Sequence, residues 1–371
     1  MSGEAGDAPG LDPAFDRVTQ SRTGWGRRSP GRYDAGSGRD RGGATYAALD
    51  LGTNNCRLLV ARPTEDSFRV VDAFSRIIRL GEGVSASGRL SETAIDRALA
   101  ALTVCRDKMK NKGVTRARLI ATEACRAAVN GAEFRTRVAE ALGLELDVID
   151  RETEATLAAT GCTPLMDLQA EGVVLFDIGG GSSELVRLDR SRDVGRGPPL
   201  PRIRGWISLP HGVVTLAERH GGHSVTRATY EAMVGEVAAL IAPFARDHGG
   251  DTLRGVHLLG TSGTVTTIAG VHLNLKRYDR NRVDGCWMSA SEIGAVVEQL
   301  LAMDFQGRVA SPCIGAERAD LVLAGCAILE AIRRAFPCPR LRVADRGLRE
   351  GMLVQMMRED GVWGAIEAAV S

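Results

Sequence analysis

Two stretches of similar construction decide the fold: YAALDLGTNNCRLLVAR at residues 46–62 and GVVLFDIGGGSSELVRLD at residues 172–189. In both, an apolar run reaches an Asp, small residues reverse the chain, and a second apolar run follows. This pattern predicts a strand, a tight turn and a strand. Because the second stretch repeats the first in kind, with the Asp in the same place before the turn, the sequence indicates an internal duplication.

The segments around these stretches alternate between strand and helix patterns. Ser91 is expected to cap an amphipathic helix that stops at Gly113, and residues 117–128 and 144–161 each predict a strand that runs into a helix. A long helix is predicted from about Glu317 to Arg334, and a last helix lies in residues 347–360. This alternation is typical of an α/β protein, and 371 residues favour two domains with a ligand cleft between them.

Composition and charge exclude several classes of protein. Hydrophobic residues make up 44% of the chain and charged residues 25%, which is typical of a globular protein. The formal net charge is +1, so a polyanion must be held by local groups, and neither specific nucleic-acid binding nor membrane binding is expected. The eight cysteines form no C-x-x-C pair and are expected to be reduced core thiols. The absence of a signal region or membrane span predicts a cytoplasmic protein.

The glycine-rich turns carry the candidate chemistry, because successive backbone N–H groups in such a turn converge on one point and suit a phosphate. A third turn follows another strand and opens a helix, where the N-terminal amides favour an anion. The candidate phosphate-binding residues are Asp50, Gly52, Thr53, Asn54 and Asn55 in the first turn, Asp177, Gly179, Gly180, Gly181, Ser182 and Ser183 in the second, and Gly260, Ser262, Gly263 and Thr264 in the third.

A single glycine turn is as often a plain tight connection between strands. Three such turns in one chain favour the phosphate interpretation. In two of them an Asp directly precedes the reversal, where a buried carboxylate is costly unless it serves a metal, a hydrogen bond or a cap.

The turns and their order resemble the superfamily of actin, sugar kinases and heat-shock-chaperone ATPases. Seven motifs resemble the exopolyphosphatase and guanosine pentaphosphate phosphohydrolase family, in the expected order from about Tyr46 to Met357: YAALDLGTNNCRLLVAR, RLGEGV, ATEACRAAVNGAEF, VIDRETEATLAATG, VVLFDIGGGSSELV, LLGTSGTVTTIAG and ADRGLREGML. The resemblance implies two duplicated ribonuclease-H-like domains. We expect a disordered tail at residues 1–43, an N-terminal domain at 44–157 and a C-terminal domain at 158–371, whose last helix is able to pack back on the first domain. The chain resembles the short form of the family.

The resemblance also implies roles for individual residues. The family motif S-G-x-x-E-A matches residues 150–155, which begin with Asp150 and Arg151 instead of Ser-Gly and place the catalytic carboxylate at Glu154. Glu184 matches a second carboxylate, either a helper base or a magnesium ligand through water. Arg126 and Asn130 match residues that meet a phosphate or order the catalytic loop. Taken without the family, Glu154 also suits a plain role at the start of a helix, where a carboxylate complements the helix dipole.

The function implied by the resemblance is an exopolyphosphatase that removes the terminal phosphate of inorganic polyphosphate. Hydrolysis of guanosine pentaphosphate is the close alternative. A kinase with a small acceptor and a sensor of guanosine alarmones without turnover are more distant ones. The expected cofactor is Mg²⁺ or another divalent cation held by Asp50, Asp177 or Glu184. A homodimer is compatible with the sequence.

Overall fold

The computed structural model describes residues 43–190, 196–249 and 253–364. The predicted tail, apart from Gly43, lies outside these residues. No helix in the described ranges is both long and apolar enough to cross a membrane. All eight cysteines are free and seven of them are buried.

The first domain is built on a five-stranded sheet in the order β3-β2-β1-β4-β5. β1 pairs antiparallel with β2 and β2 with β3, whereas β1–β4 and β4–β5 are parallel. The strands are β1 (Tyr46–Leu51), β2 (Asn55–Pro63), β3 (Phe68–Ile77), β4 (Arg116–Ala121) and β5 (Asp147–Val148). The predicted strand, turn and strand at residues 46–62 are therefore confirmed.

The second sheet repeats the first and adds one edge strand. Its order is β10-β11-β9-β6-β7-β8, so that β8-β7-β6-β9-β11 corresponds to β3-β2-β1-β4-β5 with the same pattern of antiparallel and parallel pairs. The strands are β6 (Gly172–Ile178), β7 (Ser183–Asp189), β8 (Arg202–Leu209), β9 (Val256–Thr261), β10 (Trp287–Ser289) and β11 (Arg340–Ala344). Equal topology in two sheets of one chain confirms the duplicated α/β fold.

Helices connect the strands and cover the sheets. The described helices are α1 (Val84–Ser87), α2 (Glu92–Asn111), α3 (Glu123–Ala127), α4 (Gly131–Leu142), α5 (Arg151–Cys162), α6 (Val213–His220), α7 (Arg227–His248), α8 (Gly263–His272), α9 (Arg280–Val283), α10 (Ala290–Ala302), α11 (Phe305–Ala310), α12 (Val322–Ala335) and α13 (Leu348–Glu359). The Ser91 hydroxyl caps α2 by accepting from the Ala94 amide, as the sequence predicts.

The long helix predicted from Glu317 begins later, at Val322. The residues before it form turns in which Leu321 N–H donates to the Arg318 carbonyl. The Glu317 carbonyl accepts a hydrogen bond from Arg79 of the first domain, at 3.1 Å. The predicted start was therefore wrong. The periodicity of apolar residues, on which the prediction was based, does not reveal a contact between domains.

The last helix, α13, packs against the first domain although it follows the second sheet. Met352, Leu353 and Met357 of α13 belong to one buried cluster with Tyr46 and Leu59 of the first sheet. The helix also crosses α5 closely, because Gly161 and Gly351 bring the two backbones together: a Cβ at either position would lie 1.9 Å from a carbonyl oxygen of the other element. This crossing fixes α5 between the two sheets. The predicted domain boundary at residue 157 falls inside α5 and stays a prediction.

Candidate active site

The two glycine turns face each other across one cleft between the sheets. A Cβ on Gly180 would lie 2.9 Å from Cβ of Thr53, and one on Gly181 would lie 2.9 Å from Thr53 Oγ1. The third turn and the start of α13 close the remaining sides. The cleft is lined by Asp50, Gly52, Thr53, Asn54, Asn55, Arg57, Glu154, Asp177, Gly179, Gly180, Gly181, Ser182, Glu184, Ser262, Gly263, Thr264, Arg318, Asp345, Arg346, Arg349 and Glu350, among others.

The first turn is held from outside the cleft by the backbone. Gly52 N–H donates to the Asn55 carbonyl at 2.9 Å and closes the reversal. The Thr53 carbonyl accepts from Gly81, and the Asn54 carbonyl accepts from Ile78. Because C=O and the following N–H point in opposite directions in a trans peptide, these bonds turn the next amides away from the loop at 78–81.

The side chains of the first turn also present oxygen atoms. Thr53 and Asn54 are buried, with 6% and 7% of their surface exposed. The Asn54 and Asn55 side-chain carbonyl oxygens are buried without a hydrogen bond. Two orphaned acceptors beside a polar cleft are costly unless water, a cation or a ligand meets them.

The second turn is built from backbone alone. Gly179 N–H donates to the Ser182 carbonyl at 3.0 Å, and the Gly179 and Gly180 carbonyls accept from Val213 and Val214 at the start of α6, at 2.9 and 2.8 Å. Both amides that follow these carbonyls, on Gly180 and Gly181, are therefore directed away from α6 and towards the cleft. This geometry suits the oxygens of a phosphoryl group.

The third turn places the N-terminus of the ten-residue helix α8 at the cleft. Ser262 accepts from the Thr264 amide with its hydroxyl and adopts φ 118°, in the left-handed region that non-glycine residues seldom occupy. Backbone strain of this kind tends to be retained at functional sites. The free N–H groups at the helix start add positive potential to this wall.

Glu154 reaches the cleft from the first turn of α5. The helix is capped by Asp150, whose carboxylate accepts from the Thr153 amide at 2.7 Å. Asp caps a helix as well as Ser does, so the departure from Ser-Gly at positions 150 and 151 keeps the helix start in place. The site therefore retains the helix geometry that presents Glu154.

Arg126 forms an ion pair with Glu154. Arg126 Nη2 lies 2.8 Å from Glu154 Oε2, and both side chains are about 15% exposed. Arg126 is held in turn by Glu123 at 2.8 Å and by the Ile149 carbonyl at 2.7 Å. Glu154 Oε2 is buried, and the ion pair with Arg126 is its contact within the described structure. The carboxylate is thus fixed by charge and keeps acceptor capacity for a water molecule.

Burial raises the pKa of every cleft carboxyl that the phosphate interpretation uses. For Glu154 the pKa lies well above its ordinary value because of burial and of the nearby Glu184 carboxylate, with Arg126 acting in the opposite direction. Burial, with Asp177 as the next cause, raises the pKa of Glu184 to about 7. Burial raises the pKa of Asp177 to about 6 against the effect of Arg57, and burial also raises that of Asp50. A cation in the cleft would stabilise the ionised forms.

A divalent cation fits the charge and the donor set of the cleft. Seven carboxylates line it (Asp50, Glu123, Glu154, Asp177, Glu184, Asp345 and Glu350) against four guanidinium groups (Arg57, Arg318, Arg346 and Arg349). A polyanion therefore needs additional positive charge to enter. In the described part of the chain no three His, Cys, Asp or Glu side chains form a ready metal cage. Mg²⁺ needs none, since it commonly takes one or two carboxylates together with water and substrate phosphates.

Four predicted site residues do not line the cleft: Arg126, which pairs with Glu154 as described above, and Asn130, Ser183 and Gly260. Asn130 exchanges two hydrogen bonds with the backbone of Leu90, at 2.8 and 3.0 Å, and so ties the loop before α2 to the start of α4. The Ser183 hydroxyl is fully buried and donates to the His211 carbonyl. Gly260 packs against the Phe176 ring. Direct phosphate contact from Asn130, Ser183 or Gly260 is not supported, because the two side chains are hydrogen-bonded within the protein and Gly260 is covered by Phe176.

Sequence reasoning missed the four cleft arginines. Arg57 could have been predicted to lie near the cleft. The strand, turn and strand pattern at residues 46–62 places it opposite Asp50 in the register of β1 and β2. Arg318 approaches the third turn by donating to the Gly263 carbonyl at 3.2 Å. Arg346 and Arg349 belong to the quoted ADRGLREGML motif. Only the packing of α13 between the two sheets brings that motif to the cleft.

Known proteins resemble this chain over most of its length. Residues 59–360 match the Ppx/GppA phosphatase family. The chain is 27% identical, over 327 residues, to a guanosine-5'-triphosphate,3'-diphosphate pyrophosphatase of Photobacterium profundum, with 84% of this chain and 59% of that protein covered. It thus spans less than two thirds of this relative.

Two solved structures share the fold over most of the chain. An exopolyphosphatase-like protein is 28% identical with a TM-score of 0.76, and the alignment covers 85% of this chain and 98% of the other. The Aquifex aeolicus member of the Ppx/GppA family is 28% identical with a TM-score of 0.68 over the same shares. The family match covers well over half of the sequence, and the chain belongs to the Ppx/GppA phosphatase family.

Proposed function

We propose that this protein is an exopolyphosphatase, which hydrolyses the terminal phosphoanhydride bond of inorganic polyphosphate and releases phosphate. One observation carries the proposal: two turns with inward-facing amides meet across a cleft into which the Glu154 carboxylate projects from the first turn of α5. Adjacent phosphoryl units would lie between the turns, with the terminal one nearest Glu154.

Glu154 acts as the general base. Its carboxylate accepts a proton from a water molecule whose oxygen attacks the terminal phosphorus, and the bond from that phosphorus to the bridging oxygen breaks. The bridging oxygen leaves as the new end of the shortened chain. A raised pKa makes Glu154 a stronger base at neutral pH than an ordinary glutamate. Arg126 holds it in position at 2.8 Å.

The backbone amides of Gly180, Gly181 and the first turn stabilise charge that develops on the transferred phosphoryl group. Asp50, Asp177 and Glu184 would hold a divalent cation, in part through water. Bound there, Mg²⁺ would supply positive charge that neutralises part of the charge of the phosphoryl groups. The excess of carboxylates over arginines in the cleft supports this requirement.

A second candidate is the hydrolysis of the terminal phosphate of guanosine pentaphosphate. It is favoured by the 27% identity to a protein named as a guanosine pentaphosphate pyrophosphatase. Both substrates present a terminal phosphoanhydride to the same two turns. The partners proposed are therefore inorganic polyphosphate or guanosine pentaphosphate; the homodimer and the cytoplasmic location stay predictions.

The decisive experiment measures phosphate release from polyphosphate, guanosine pentaphosphate and ATP, with Mg²⁺ and with chelator. We expect release from polyphosphate to depend on Mg²⁺ and Glu154→Gln to lower kcat by about 10²–10⁴. Glu152→Gln is the matched control, since it removes an exposed carboxylate from the same helical turn and is expected to leave kcat within about twofold.

The results of this assay distinguish the candidate functions. Release from guanosine pentaphosphate alone would select the second candidate. Phosphate transfer only when a small acceptor is present would indicate a kinase, and binding without release would indicate an alarmone sensor. Equal kcat for Glu154→Gln and the native protein would remove the assignment of the base.

A further inference from the structure

The segment that holds the second phosphate turn from behind is short and closely packed. We call residues 210–214, which follow β8 and include the first two residues of α6, the brace. Its Val213 and Val214 amides bind the Gly179 and Gly180 carbonyls. Gly212 lies so close to the turn that a Cβ there would come within 2.3 Å of the Gly180 carbonyl carbon. Any shift of the brace therefore moves the turn with it.

His211 ties the brace to the rest of the domain at two points. Its carbonyl accepts from the Ser183 hydroxyl at 2.8 Å, and its ring Nε2 lies 2.6 Å from Oε1 of Glu236 on α7. The other ring nitrogen, Nδ1, is buried without a hydrogen bond. The side chain thus has one polar contact, and the tautomer with a proton on Nε2 donates to the carboxylate.

Glu236, which contacts the His211 ring, is itself held by other groups. Its second oxygen lies 2.7 Å from Nε2 of His220, and Arg219 pairs with the same carboxylate. The neighbouring Val237 of α7 is fully buried in the core of the second domain. Because other groups also hold Glu236, it stays in place when the bond to His211 is removed.

We propose that His211 is a positioning residue for phosphoryl transfer. Through Glu236 it fixes the brace, and the brace fixes the direction of the Gly180 and Gly181 amides. The inference rests on the proposed function and deepens it, because it adds a side chain outside the cleft that sets the geometry of the second turn. His220 bonds the same carboxylate from the end of α6 and has no described contact with the turn.

The test uses three substitutions at position 211 and one at position 220. Gln places an amide nitrogen near the position of imidazole Nε2 and keeps a donor for Glu236. Asn carries the same amide one methylene shorter and loses that contact, and Ala removes the side chain. His220→Ala removes the other imidazole from Glu236 without touching the brace.

The first measurement is amide hydrogen exchange followed by mass spectrometry, which needs no substrate. We expect peptides that contain residues 177–183 and 211–214 to exchange at least about tenfold faster in His211→Ala and His211→Asn than in the native protein. His211→Gln and His220→Ala should retain native rates there. Native exchange in all four variants would show that the side chain does not hold the brace.

The second measurement is phosphate release from polyphosphate, with the folded fraction checked by thermal unfolding. We expect kcat/KM to fall about 10- to 100-fold in His211→Ala and His211→Asn, with a higher KM, and to recover to within about threefold in His211→Gln. A loss of folded protein would lower kcat and leave KM unchanged. Faster exchange with native kinetics would overturn the positioning role, whereas an inactive native protein would overturn the proposed function instead.

Discussion

The two hairpins of the duplicated sheets carry different chemistry at equivalent positions. In the first, Asp50 pairs in register with Arg57; in the second, Asp177 pairs with Glu184. Both pairs flank a glycine turn, proposed to bind phosphate, on the two strands that the turn connects. Duplication has thus left one hairpin with a cation and the other with a second carboxylate. The cleft is asymmetric in charge although its scaffold is repeated.

The turns themselves differ in the same way. The first fills its reversal with the side chains of Thr53 and Asn54, which are buried. The second uses Gly179, Gly180 and Gly181, where an added Cβ would collide with its surroundings. The side chains of the first turn therefore occupy the space that the glycines of the second turn leave open. The two turns can approach each other closely because the second has no side chains at these three positions.

The largest expected effect comes from erasing the charge difference between the hairpins. Arg57→Glu gives the first hairpin the carboxylate of the second and leaves no cation opposite Asp50. Like-charge contact costs several kcal/mol, so we expect kcat/KM on polyphosphate to fall at least about 10³-fold. Arg57→Lys keeps the charge and should lose about tenfold. Equal losses in the two variants would show that shape, and not charge, matters at this position.

The dependence of stability on pH tests how much the buried Glu184 carboxylate of the second hairpin destabilises the folded protein. The pKa of Glu184 in the folded protein is about 7, against 4.5 ordinarily. Between these values the folded protein holds more protons than the unfolded chain, so this group lowers stability as pH rises through the window. Glu184→Gln should raise the free energy of unfolding at pH 8 in chelator by about 3 kcal/mol.

The same substitution should change little at pH 4, where both states are protonated. Urea unfolding of the native protein and the variant at the two pH values measures the difference. A gain that is equal at pH 4 and pH 8 would contradict a titration effect and indicate a packing effect.

The bulk difference between the turns is tested by adding one methyl group to each. Gly180→Ala would place Cβ 2.9 Å from Cβ of Thr53, whereas at Gly52 the nearest atom lies at 3.4 Å. We expect Gly180→Ala to lower kcat/KM about 10- to 100-fold, since small displacements at a reacting centre are costly. Gly52→Ala should stay within about threefold of native. Similar values for both would show that the turns do not constrain each other.

The smallest expected effect concerns the contact that joins the two halves at the rim. Arg79 donates two hydrogen bonds to Asp320, at 3.0 and 3.1 Å, with side chains 31% and 20% exposed. Solvent screening limits such a pair, so Arg79→Gln should reduce the free energy of unfolding by at most about 1 kcal/mol. Urea unfolding in low and high salt checks this. A loss well above that value would mean that the rim contact contributes to closure of the cleft.

The strands, the reversals and their repetition could be predicted from the sequence alone. Alternating apolar runs and small-residue turns are local signals, so β1, β2, β6 and β7 follow from residues that are close in the chain. The N-cap of α2 at Ser91 was predictable for the same reason. The position of Glu154 was available through resemblance to a family motif, while its residue type alone also suited a plain helix start.

Which groups share the cleft depends on contacts between segments that are far apart in the chain. Arg346 and Arg349 arrive with α13, which crosses α5 through two glycines far apart in sequence. Asn130 is hydrogen-bonded to the Leu90 backbone outside the cleft. Arg126 forms an ion pair with Glu154 because the segments that carry them pack together. The raised pKa values follow from burial by both domains at once. Burial and long-range contact depend on the whole chain, and no local pattern of residues specifies them.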